Sequence, residues 1–125
     1  EDGKGYKFVL FNNGVGNVAS VAGNMCYYYG AGGAQDDTVT MDLSDSVNIG
    51  AGAFQAVIAD GDYGWIQTTG KATLTTALTA GADGNALTAV GATDGTLDVS
   101  LAVTDFICAV ADDASAKEVL LCCPK

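Results

Sequence analysis

Turn-forming residues cut this chain into short runs, and that rhythm constrains the fold more than any other feature. Gly-Asn, Asp-Gly and Gly-rich signals recur roughly every 8–12 residues, the spacing of an all-β sandwich or barrel. The runs between them are β-branched, aromatic or alternating, as in residues 6–11 (YKFVLF), 25–29 (MCYYY) and 38–43 (TVTMDL). In 38–43, Val39, Met41 and Leu43 oppose Thr38, Thr40 and Asp42, the period-2 pattern of a half-buried strand. Helical periodicity is nearly absent. Further strands are expected over 53–59, 71–78, 86–90, 96–103, 105–111 and 118–123, about ten in all, and 45–52 reads as a connector.

The pivot is the stretch 60–70 (DGDYGWIQTTG), which carries the single Trp near the middle of the chain. Asp60-Gly61 suits a tight reversal, because Gly tolerates a positive φ. Gly64 removes a side chain just before the bulkiest residue, so another group can approach there. Alternation puts Tyr63, Trp65 and Gln67 on one face and Gly64, Ile66 and Thr68 on the other, before Gly70 closes the run. Both faces carry something apolar, which predicts a central strand packed on two sides.

The two halves of the chain echo each other. Residues 54–60 (FQAVIAD) align with 106–112 (FICAVAD). Each is preceded by an alternating run, at 38–43 and 97–101. Each of those follows a Gly-Asn-led strand, at Gly23-Asn24 and Gly84-Asn85. The reading is a loose arm over 1–5 and one β-domain over 6–125, with pseudo-repeat halves of about 6–70 and 71–125.

Fifteen acids and five bases leave a formal net charge of −10, and all five bases are Lys. A nucleic-acid binder needs cations to displace counterions from phosphates, and an anionic membrane would repel this chain too. Without His the usual neutral-pH base and metal ligand are missing. Without Arg the bidentate carboxylate or phosphate clamp is missing. These gaps argue against an enzyme, a cofactor or a metal site.

The remaining candidates have ordinary explanations. The acid pairs Asp36-Asp37, Asp42/Asp45, Asp60/Asp62 and Asp112-Asp113 lack the ligand ladder of a Ca²⁺ loop and fall where turns favour Asp. Residues 30–33 (GAGG) lack the Gly-Lys-Ser/Thr ending of a phosphate loop. No CxxC is present. Cys26 and Cys108 sit in apolar runs and Cys122-Cys123 are adjacent, which favours reduced, buried thiols and folding in a cytoplasm. A secreted, disulfide-bonded subunit would instead require a Cys26–Cys108 bridge. Tyr27, Tyr28, Tyr29 and Trp65 could stack on sugars, although Tyr and Trp also suit a core or a subunit contact.

Several pieces resemble a known family in their order. They are the N-terminal strand 6–11, the small-residue segment 18–28 (VASVAGNMCYY), Val39-Thr40-Met41-Asp42-Leu43-Ser44, Ala51-Gly52-Ala53-Phe54, the GxYGWxQ stretch and a Val119-Leu120-Leu121 ending. Together they resemble decoration or cement proteins of tailed-bacteriophage heads, with GxYGWxQ as the most specific element. The resemblance implies a non-enzymatic virion protein on the capsid exterior, oligomeric and bridging subunits of the major capsid protein. Glu1, Asp2, Gly3, Lys4, Gly5, Tyr6 and Tyr28 are the candidate subunit contacts. The alternative is a carbohydrate- or receptor-binding β-module on the same surface.

Overall fold

The computed structural model describes residues 4–12, 18–30, 38–102 and 105–123. The protein is all-β, one nine-stranded sheet in which five strands close into a ring. The strands are β1 (Gly5–Phe11), β2 (Met25–Tyr29), β3 (Thr38–Thr40), β4 (Ser46–Phe54), β5 (Tyr63–Thr73), β6 (Ala86–Thr88), β7 (Asp98–Val99), β8 (Ile107–Asp113) and β9 (Glu118–Cys122). Their order is β1-β3-β2-β4-β5-β9-β8-β6-β7, and a β1–β5 pairing closes the ring.

Every ring strand sends residues inward. Val9 and Phe11, Cys26 and Tyr28, Val39, Ala51 and Phe54, and Ile66 form one buried cluster, topped by Ile58. Phe11 and Phe54 meet edge to face, with centroids 5.2 Å apart, a favoured aromatic geometry. The opposite face of β2 and of the second half of β4 is covered as well. Met25, Tyr27 and Ala53 belong to a second cluster with Leu87, Cys108, Ala109, Val119 and Leu121 of the later strands. Strand β2 is therefore core on both sides, as its unbroken MCYYY run allows. The buried Tyr27 hydroxyl donates to the carbonyls of Thr96 and Thr93, so its polar end is satisfied.

The pairing within β2–β5 recurs within β6–β9. Strand β2 lies antiparallel between β3 and β4, and β4 pairs with β5. Strand β6 lies antiparallel between β7 and β8, and β8 pairs with β9. The details recur as well. Gly23 N donates to Phe54 O at 2.9 Å and Phe54 N to Asn24 O at 2.9 Å; Gly84 N donates to Ala111 O at 2.7 Å and Ala111 N to Asn85 O at 2.9 Å. Both glycines take positive φ, 84° and 85°. Both β4 and β8 carry an extra residue in the same place, Ala51 and Cys108, since Cys26 and Tyr27 oppose Gly52 and Gly50 while Leu87 and Thr88 oppose Ala109 and Ile107. The two units meet where β5 and β9 pair antiparallel, from Thr69–Cys122 to Thr73–Glu118. This register equates Phe54 with Ala111, whereas the sequence alignment set Phe54 against Phe106.

That alignment slips because β4 is not where its sequence places it. The strand occupies the expected connector, and 55–59 is a loop. Gly50 and Gly52 read as turn residues, but here they admit close neighbours. A Cβ on Gly50 would lie 2.5 Å from Cys108 Sγ, and one on Gly52 would lie 2.5 Å from Gln67 O. Strand β5 runs on to Thr73 and leaves 74–78 outside the ladder, while the expected strand over 96–103 shrinks to β7. The four cysteines are free thiols. Cys26 points into the ring and Cys108 into the other cluster, with β4 between them, which works against the alternative bridge.

Candidate functional site

Strand β5 is the centre of the sheet, paired with β1, β4 and β9. Its ring-facing residues are Gly64, Ile66 and Thr68, so Tyr63 and Trp65 turn outward. On β1, Val9 and Phe11 fill the ring and Tyr6 and Phe8 turn outward. Phe8 pairs with Trp65, Leu10 with Tyr63 and Tyr6 with Gln67. The four outward aromatics, Tyr6, Phe8, Tyr63 and Trp65, are 50%, 51%, 62% and 55% exposed. The Phe8 ring stacks on Tyr63 at 5.7 Å and 14°, and meets Trp65 at 5.1 Å and 56°. This corrects the expectation of a strand packed on both sides: one apolar set builds the core and the other is left at the surface. This exposed aromatic strip makes the β1/β5 face the candidate site.

A groove of about 280 Å³ adjoins the strip, between loop 55–59 and residues 62–65. The loop is held down at several points. Ser20 N donates to Ile58 O at 2.8 Å, Ile58 N donates to Ser20 Oγ at 2.7 Å and Ser20 Oγ donates to Ala56 O at 3.2 Å. Ile58 sits where a Gly64 side chain would be, its Cδ1 only 2.3 Å from an added Cβ. At the groove's end, Gly61 N donates to Phe11 O at 2.8 Å and Phe11 N to Asp62 O at 2.9 Å. These bonds fix the Asp62 backbone and leave its side chain exposed.

The other pivot residues are structural. Gln67 is buried and its Nε2 donates to the Thr69 and Lys71 carbonyls, at 3.0 and 2.9 Å. Gly70 takes φ 93°, open to glycine but strained for other residues, where β5 begins its pairing with β9. Among the candidate contacts, Tyr28 is a correction. It is 3% exposed inside the ring, and Lys7 Nζ donates to its hydroxyl at 2.8 Å. Gly5 is strand, not arm, and Tyr6 lies in the strand expected over 6–11. Lys4 lines a second, more polar groove with Gln55, Gln67 and Lys71. Lys71 is occupied there, 3.2 Å from Glu118 and 3.6 Å from Asp112, and the Glu118 hydrogen bond raises its pKa. Glu1, Asp2 and Gly3 lie outside the described residues, as do Asp36 and Asp37.

One acid in each of two further pairs does turn chemistry. Asp42 accepts from Ser44 N at 3.0 Å and Ser44 Oγ at 2.7 Å. Asp113 accepts from Ser115 Oγ at 2.8 Å and Ala116 N at 3.3 Å, and the Ser115 bond leads in lowering its pKa. Among the described residues, no three or more Cys, Asp or Glu side chains gather to hold a metal ion. Sequence reasoning missed Phe8, Val57 and Ser20. The Tyr6/Phe8 phase in YKFVLF contained the signal for Phe8; the Ser20 anchor depends on a contact 38 residues away.

No family model matches this chain, and neither a curated protein nor a solved structure matches it.

Proposed function

We propose that the chain is a non-enzymatic structural protein that decorates the outside of a virus capsid and docks on the major capsid protein through the β1/β5 aromatic face. The observation that carries this reading is the strip of Tyr6, Phe8, Tyr63 and Trp65, half exposed on a sheet pinned by β3, β4 and β9. Tyr63 and Trp65 belong to GxYGWxQ, the most specific part of the resemblance to phage decoration proteins. Tyr and Trp dominate the energetics of protein interfaces because they bury much area at little entropic cost. Many copies, each burying a modest area, would brace a shell without chemistry. The net charge of −10 keeps free copies soluble and away from packaged nucleic acid.

The test is co-sedimentation with empty shells of the coat protein encoded in the same genome. Wild type should pellet with the shells, and Phe8→Ala/Trp65→Ala should stay in solution while folded. A wild-type chain that never pellets, or that cryo-electron microscopy finds lining the interior, ends the proposal. The exposed Trp65 and Tyr63 beside Asp62 also favour a second reading, a carbohydrate-binding face. Phe8 argues against it, since its stacking on Tyr63 joins the rings into one strip rather than separate sugar platforms. Saturable glycan-array binding lost in Trp65→Ala would reverse that ranking.

A further inference from the structure

We propose that the groove between loop 55–59 and Trp65 receives a cationic side chain, arginine or lysine, from the docked protein. This rests on the reading that the aromatic face docks on protein, and it names the chemistry the partner must present.

The walls are of three kinds. Trp65 and Tyr63 supply aromatic surface, and a cation over an indole face is attracted by the ring's quadrupole. Val57, 68% exposed, and Ile58 supply aliphatic surface against which the methylenes of a long side chain can lie. Asp62, exposed, is the one acid among the lining residues. At about 280 Å³ the groove lies at the lower edge of the ~300–1,000 Å³ that hold whole small molecules. One extended side chain is a better match.

Charge selects among side chains. An apolar occupant would offer the Asp62 carboxylate no partner. A carboxylate would meet Asp62 and the field of a chain carrying a net −10. A cation satisfies the carboxylate, the rings and the long-range field together. The site is also preformed. The Ser20 bonds and the Ile58–Gly64 fit hold the loop, so little ordering entropy opposes binding.

Trp65 is the single Trp of the chain, so its fluorescence reports on this groove directly. The probes are N-acetyl-arginine amide and its neutral isostere N-acetyl-citrulline amide, titrated in low salt. The arginine probe should change Trp65 emission saturably, with a midpoint in the millimolar range. The citrulline probe should do so at least five-fold more weakly. Asp62→Asn should shift the arginine midpoint at least five-fold. Val57→Lys, which adds a competing cation to the groove wall, should shift it in the same direction. Equal responses to both probes, or an unchanged midpoint in both variants, would overturn the proposal. The two readings fail separately. Shell binding without an arginine response ends the groove proposal alone, and an arginine response without shell binding ends the capsid reading alone.

Discussion

The units β2–β5 and β6–β9 share a pairing scheme, a Gly-Asn turn and a bulge, yet only the first carries the aromatic face. Their side chains differ at matched positions. Phe54 matches Ala111 and Cys26 matches Leu87 in the buried layers, while outside Trp65 matches Glu118. The first unit also has β1, which closes the ring and doubles the apolar sets around it. One set fills the ring and the other has nowhere to go but the surface. The second unit is open and filled mostly with Ala, Leu, Val and Cys, and it lies against the back of β2 and β4. Backbone pairing thus sets a frame that two fillings can share, and the side chains on β1 and β5 decide which frame gains an exposed aromatic face.

The largest test of this contrast is Phe54→Ala, which gives the first unit the residue of the second. Phe54 is buried against Phe11, and truncating a buried Phe costs about 3–5 kcal/mol. Urea unfolding should show that loss as a lower midpoint at unchanged slope. A loss under about 1 kcal/mol would mean that the ring does not depend on its aromatic filling.

Next come the matched glycines. A Cβ on Gly84 meets open space, so Gly84→Ala bears only the left-handed backbone strain, about 1–2 kcal/mol. A Cβ on Gly23 would lie 2.3 Å from Thr75 Oγ1, which is itself held by a 2.6 Å bond to Ala22 O. Gly23→Ala should therefore destabilise more than Gly84→Ala in the same urea experiment. Equal losses would show that the Thr75 contact relaxes freely.

These pairs also show how far the sequence could be read. The all-β class, the Gly-Asn turns, the Asp60-Gly61 reversal and the central position of β5 follow from local chemistry. Asp60-Gly61 works as read, with Gly61 at φ 89°. What is not local was missed. Gly50 and Gly52 look like turn residues until Cys108 and Gln67 approach them from distant strands. Trp65 looks like core because alternation says which residues share a face, not which face meets water. The ring settles that point, because Ile66 and Val9 fill its interior. Nothing near residue 58 in sequence foretells that Ser20 anchors the loop forming the groove.

Alkaline pH separates the units more gently. Burial pushes the Cys26 thiol and the Tyr27 phenol well above their ordinary values. The matched residues in the second unit, Leu87 and Thr88, do not titrate. Below about pH 7.5 both groups are protonated in the folded and unfolded chains and make no difference. Above it the unfolded chain releases protons that the folded chain retains, so stability falls as pH rises. Urea midpoints should be level from pH 7 to 7.5 and decline from about pH 9 to 11, less steeply in Cys26→Ala. Cys123, also raised, chiefly by its hydrogen bond with Cys108 and then by burial, adds to the decline. A midpoint rising over that interval would contradict the buried, protonated thiol.

The smallest effect on stability should come from Trp65→Glu, and it tests the contrast most sharply. The substitution writes the second unit's outward residue into the first. Trp65 is half exposed and its loss leaves no internal cavity, so the change in stability should stay within about 1 kcal/mol. Glu118 holds the matched position beside Lys71 without disturbing its strand. Docking should respond differently. Removing a central interface aromatic costs about 2 kcal/mol or more, roughly 30-fold in affinity. Thermal melts and shell co-sedimentation on the same preparation therefore measure two separable quantities. A variant that melts like wild type and no longer pellets assigns the face to binding. A variant that unfolds would place Trp65 back in the core, where alternation alone had put it.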